Sequence, residues 1–83
     1  MENSRFVAIE GRVISITYPG ADEAPMVRVN VQRDEGLLTL VFQSRTTLEA
    51  IEIGQWLRAQ GNVVTVHGVP TIFNPRYTIE GHG

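Results

Sequence analysis

Residues 26–42 constrain this chain more than any other stretch. Met26-Val27-Arg28-Val29-Asn30-Val31-Gln32 alternates apolar and polar side chains at period two, the pattern of a strand with one buried face. Arg33-Asp34-Glu35-Gly36 follows, with Asp34 and Gly36 where turn chemistry wants them. Leu37-Leu38-Thr39-Leu40-Val41-Phe42 then resumes the alternation. Pairing Gln32 with Leu37 sets Val31 against Leu38, Val29 against Leu40 and Val27 against Phe42. All of these inward residues are apolar, and a slip by one residue would turn them to solvent. The outward partners are Arg28 with Val41 and Asn30 with Thr39.

The flanking segments fit around this hairpin. Residues 6–18 read as a long first strand. Val7, Ile9, Gly11 and Val13 share one face, whereas Ile14 and Ile16 are apolar on the opposite parity. A change of buried face predicts a bulge or sharp coil, and Gly11 is the expected place. Pro19-Gly20-Ala21-Asp22-Glu23-Ala24-Pro25 is a loop by composition. Residues 46–51 predict a short helix. Thr46 or Thr47 would cap it, and Glu49 stands three residues after Thr46, as in a capping box. Leu48 and Ile51 are spaced to plug one end of a barrel. Gly54 leads into a fourth strand at about residues 56–65, with Leu57, Ala59 and Val63 inward and Trp56, Arg58, Gln60 and Asn62 outward. Gly61 marks another bend. His67-Gly68-Val69-Pro70 links to a fifth strand at about residues 71–80, where Pro75 implies an edge position or a bulge.

Three strands, a helix and two strands within about 80 residues is the layout of an OB-fold, a five-stranded Greek-key barrel that commonly holds single-stranded nucleic acid. The expectation is therefore an all-β five-stranded Greek-key OB-fold barrel with a short helix between strands 3 and 4. It forms a single domain over residues 1–80, with residues 81–83 as a flexible tail. A chain of this length buries only roughly 60% of its unfolded surface, so the core is thin.

Composition removes several function classes. There is no cysteine, hence no disulfide, zinc-thiolate site or thiol nucleophile. His67 and His82 are isolated, so no metal is expected. Ser4, Ser15 and Ser44 lack a Gly-x-Ser-x-Gly context, and no Gly-Lys-Ser phosphate cradle is present. The chain is thus expected to be no enzyme and to carry no cofactor. No leader-like N-terminus and no apolar run of roughly 18 residues is visible, which points to the cytoplasm and away from membranes. The net charge is −2, so no strongly basic surface advertises nucleic acid. All the cations are arginines, whose planar fork grips phosphate and stacks on bases. Arginine-for-lysine bias across a GC-rich genome accounts for the same count.

The runs "LLTLVFQS", "IEIGQWLRAQGNVV" and "HGVPTIFNPRYTI" resemble the OB-fold wedge domain of RecG-type branch-migrating DNA helicases. The matching positions are Phe42, Gly54, Gly61, Gly68, Asn74, Pro75 and Tyr77. The pattern is similar, more loosely, to OB modules of bacterial replicative polymerases and aminoacyl-tRNA synthetases. The resemblance spans residues 6–80 as a fold and 37–79 in its motifs, and most matched positions are structural. It implies a barrel and, through it, a role at single-stranded or branched DNA. No helicase motor accompanies it, not even a Walker lysine, so the ATP-driven activity of that family does not carry over.

In an OB-fold the face of strands 2 and 3, with the flanking loops, holds the ligand through cations and stacking rings. The residues expected there are Arg28, Asn30 and Thr39 on the face and Tyr18 at the 1–2 loop. Trp56 and Arg58 stand outward on strand 4, and Phe73 and Arg76 near the 4–5 loop. Trp56 equally suits a lid on the barrel end, and Tyr77 suits packing. The expected partner is single-stranded or branched nucleic acid, with DNA favoured and RNA kept as the other choice. The alternative is an interaction module docking a protein partner, which Met26, Val41, Trp56 and Phe73 as outward apolar groups would serve.

Overall fold

The computed structural model describes residues 5–48 and 50–82. It is all-β, with β1 (Arg5–Thr17), β2 (Met26–Arg33), β3 (Gly36–Gln43), β4 (Gln55–Val66), β5 (Val69–Phe73) and β6 (Arg76–His82). Antiparallel pairing joins β1 to β2 and β2 to β3, and β3 runs parallel to β5. β5 pairs antiparallel with β4, and β4 returns to β1. These five strands close a barrel, an arrangement consistent with an OB-like fold.

The β2–β3 register is the one the alternation dictates. Val31 pairs with Leu38, Val29 with Leu40 and Val27 with Phe42, and all six side chains are buried. Val13, Leu57, Ala59 and Ile72 complete the wall of the core.

The first strand changes its buried face at a bulge, but not at Gly11. The register with β2 shifts between Val13 and Ser15, leaving Ile14 as the extra residue. Val13 therefore faces in, Ser15 faces out opposite Asn30, and Ile16 packs back against the core. Gly11 has a different task. A Cβ there would lie 2.5 Å from the carbonyl oxygen of Gln32 and 2.6 Å from a methyl of Val31. It lets β1 cross close over β2 where the strand leaves β4 for its second partner.

The short helix expected over residues 46–51 does not form; the described residues of that segment are irregular. Ser44 and Ala50 both take left-handed backbone, with φ of 63° and 73°. A residue in that conformation cannot continue a right-handed helix. The capping partner Glu49 lies outside the described residues. Leu48 and Ile51 are nonetheless buried in the core cluster, so the loop delivers the plug without the helix. Ser44 N–H donates to the Pro25 carbonyl at 2.8 Å and Gly54 N–H to the Val13 carbonyl at 2.8 Å, which pins the loop at both ends.

The expected fifth strand is two strands. β5 and β6 run in sequence along one edge of β4, with Ile72 opposite Val63 and Arg76 opposite Gln60. Asn74, at φ 53°, and Pro75 make the break. β6 continues to His82, opposite Gln55, so strand pairing extends into the segment expected as a tail. Among the described residues no helix is long and apolar enough to cross a membrane.

Candidate functional site

Two cross-strand rows of outward residues build the face over β2 and β3. One row runs Thr17, Arg28, Val41, Phe73 across β1, β2, β3 and β5. The other runs Ser15, Asn30, Thr39, Thr71 across the same strands. Neighbouring strands lie about 4.8 Å apart, so the Arg28 and Phe73 backbones are about 10 Å apart.

The second row is a fixed polar ladder. Asn30 Nδ2 donates to Ser15 Oγ at 2.9 Å, and Thr39 Oγ1 donates to Asn30 Oδ1 at 2.8 Å. Both bonds hold the Asn30 amide in one orientation, leaving one N–H and one lone pair to face outward. Thr71 is buried, and its hydroxyl donates to the Val69 carbonyl at 3.0 Å.

The first row opens into a groove of about 310 Å³ lined by Met26, Arg28, Thr39, Val41, Val66, Val69, Thr71 and Phe73. The β4–β5 hairpin forms its far wall. That hairpin turns at His67 and Gly68, both with positive φ, as the two-residue turn matching strand twist requires. Phe73 keeps 40% of its surface exposed, with Val41 buried beside it. Its placement is secured by the next residue. Asn74 N–H donates to the Val41 carbonyl, Asn74 Oδ1 accepts from Gln43 N–H at 2.9 Å, and Asn74 Nδ2 donates to Gln43 Oε1 at 2.9 Å. The asparagine thus clamps the end of β3 to the end of β5.

Arg28 is exposed and is the one charged residue lining the groove. Glu23 lines an adjoining cleft together with Met26 and Arg28. Its carboxylate accepts from Gly20 N–H at 2.8 Å, which fixes the 1–2 loop with a negative charge near the groove mouth.

The expected site residues therefore divide between two faces. Arg28, Thr39 and Phe73 meet in the groove, and Asn30 adjoins it through Thr39. Tyr18 is 48% exposed just past β1, outside the groove lining. Trp56, Arg58 and Arg76 belong to the outer face of the sheet that β1, β4 and β6 make. Trp56 and Arg58 of β4 pair with Arg12 and Glu10 of β1, and Arg76 of β6 pairs with Gln60 of β4. Trp56 stands ten positions along β4 from the groove residue Val66, about 30 Å of strand.

On that second face the charge of Arg58 is met by two carboxylates. Arg58 Nε lies 3.3 Å from Glu10 Oε1 and 3.4 Å from Glu80 Oε2. The Arg12 guanidinium sits 5.8 Å from the Trp56 ring centroid and donates to the Gly54 carbonyl at 2.7 Å. The half-exposed indole is thus covered by an arginine of its own chain. Tyr77 packs edge-on against Phe42 at 5.5 Å between centroids.

Alternation pointed to Val41 as outward but not to Val66, Val69 and Thr71 as the opposite wall. Their signal is His67-Gly68, a positive-φ turn pair that folds β5 back along β4, where it also lies beside β3. No protein-family model matches this sequence, and no curated protein is similar enough to it to suggest a relative.

Proposed function

We propose that this chain is a non-catalytic, cytoplasmic OB-fold module that holds single-stranded or branched nucleic acid in the groove over β2, β3 and β5. The single observation that carries the proposal is the cross-strand row that joins an exposed arginine to an exposed aromatic ring, about 10 Å apart, across a strand with a buried valine. One base stacks on Phe73 while a neighbouring phosphate meets Arg28. Asn30 and Thr39 offer hydrogen-bond groups beside the ring. DNA is favoured over RNA by the resemblance to the helicase wedge domain alone. Trp56, Arg58 and Arg76 take no part, since their face is separate and the Arg58 charge is met by two carboxylates.

The test is fluorescence anisotropy of labelled oligo-dT, forked DNA and RNA of equal length at low salt. Binding that Arg28→Ala and Phe73→Ala both weaken, and that Arg58→Ala leaves unchanged, supports the groove.

A protein partner is the second reading, and one observation favours it. Met26, Val41, Val66, Val69 and Phe73 give the groove five apolar linings against one cation. An extended peptide with an apolar side chain would fill the same space. No binding to any of the three oligomers at low salt would leave that reading standing.

A further inference from the structure

β6 uses one edge and leaves the other open. Its backbone pairs with β4, and among the described residues no loop, turn or other strand bonds to its opposite edge. A row of free N–H and C=O groups is a template for another strand. Two features bound this template. Pro75 precedes it, and Glu80 is the extra residue of a bulge where the register against Trp56 and Leu57 shifts. Between them Arg76 and Thr78 are exposed, while Tyr77 and Ile79 are half-buried against the core.

A bulge and charged side chains normally guard an edge against indiscriminate pairing. Here the two charges are opposite in sign and four positions apart, which makes the strand complementary to itself when inverted. A twofold axis at Thr78 sets Arg76 of one copy opposite Glu80 of the other, and Tyr77 opposite Ile79. Registers centred on Tyr77 or Ile79 also preserve the two faces, but each places a charged residue against Thr78. Only the Thr78 centre pairs opposite charges, and it adds two aromatic–aliphatic pairs on the inner face.

We propose that a second copy of this chain docks on β6, giving an isologous dimer in which the sheet of β1, β4 and β6 continues into its twin. The pairing completes the burial of Tyr77 and Ile79. Among the described residues Arg76 has no ion pair within its own chain, whereas Glu80 is shared with Arg58 on β4. The proposal is independent of what the groove holds, because no β6 residue lines the groove.

Sedimentation equilibrium of the full chain over a wide concentration range tests it, with wild type, Arg76→Glu, Glu80→Arg and the double exchange. The wild type is expected to dimerise. Each single exchange sets like charges against each other at both symmetry-related positions and should weaken the dimer by about tenfold or more. The double exchange restores opposite charges and should recover most of the association. Thermal melts at dilute monomer concentrations show whether each variant is folded. If one single exchange fails to fold, the other single exchange compared with the wild type and the double exchange still decides. A wild type that stays monomeric at several hundred micromolar would overturn the proposal. So would single exchanges that dimerise like wild type, or a double exchange no better than either single.

Discussion

Phe73 is the side chain on which the binding account turns, and Asn74 is what holds it there. Phe73 keeps 40% of its surface exposed and buries the rest, so its removal should cost about 1–2 kcal/mol of stability. A base stacked on it is worth roughly 1–3 kcal/mol. Phe73→Ala is therefore expected to weaken oligo-dT binding by about tenfold or more in a domain that still folds, with a melting temperature lowered by several degrees, read by anisotropy and circular dichroism. Asn74 differs. It supplies a left-handed backbone position and two side-chain hydrogen bonds to Gln43. Asn74→Ala loses both bonds and keeps the unfavourable φ, for a cost of about 1–2 kcal/mol. That should lower the melting temperature by several degrees and weaken binding through the displaced ring. Asn74→Gly, which relieves the φ but not the lost bonds, should fall between Asn74→Ala and wild type.

The β2–β3 hairpin and the loop after it show what was legible in the sequence and what was not. The hairpin has two chemically different faces, so its register is specified many times over. Val29 is fully buried, and Val29→Asp places an unpaired charge in the core and should unfold the domain. Asn30→Asp keeps an acceptor for Thr39 and lets the Ser15 hydroxyl become the donor, so it should leave the melt nearly unchanged. Equal tolerance of both would contradict the register. The loop is the opposite case. Thr46, Leu48 and Ile51 meet the spacing of a capped helix, but the same two apolar residues reach the core from an irregular path. Nothing local in Ser44 or Ala50 announces a left-handed backbone, since neither is glycine. Ala50→Gly separates the two conformations by sign. In a helix it would destabilise by about 1 kcal/mol. At φ 73° it relieves steric strain and should raise the melting temperature by about 2–5 °C.

Closure of the barrel decides which outward residues can act together. Alternation shows that Arg28, Arg58, Trp56 and Phe73 leave the core, but around a ring every outward direction differs. Arg28 and Phe73 share a groove because β5 lies beside β3. Arg58 and Trp56 face away because the first half of β4 pairs with β1 and β6. Such strand adjacency is a long-range property, and no short window of sequence contains it. The charge balance belongs to the whole molecule too. At a net −2, with Glu23 beside Arg28, nucleic-acid affinity should be modest and fall with salt. One or two phosphate contacts predict a shallow slope, roughly 0.7 per contact for a single strand. Glu23→Gln should tighten binding at low salt, as read by anisotropy, and lose that advantage as salt rises.

An NMR titration of the isotope-labelled chain with oligo-dT tests the groove itself. Amide shifts are expected to concentrate at Arg28, Thr39, Val41 and Phe73, with the Trp56 indole signal unmoved. Shifts centred on Trp56 and Arg58, or no shift at any residue at low salt, would contradict the assignment of this groove as the nucleic-acid site.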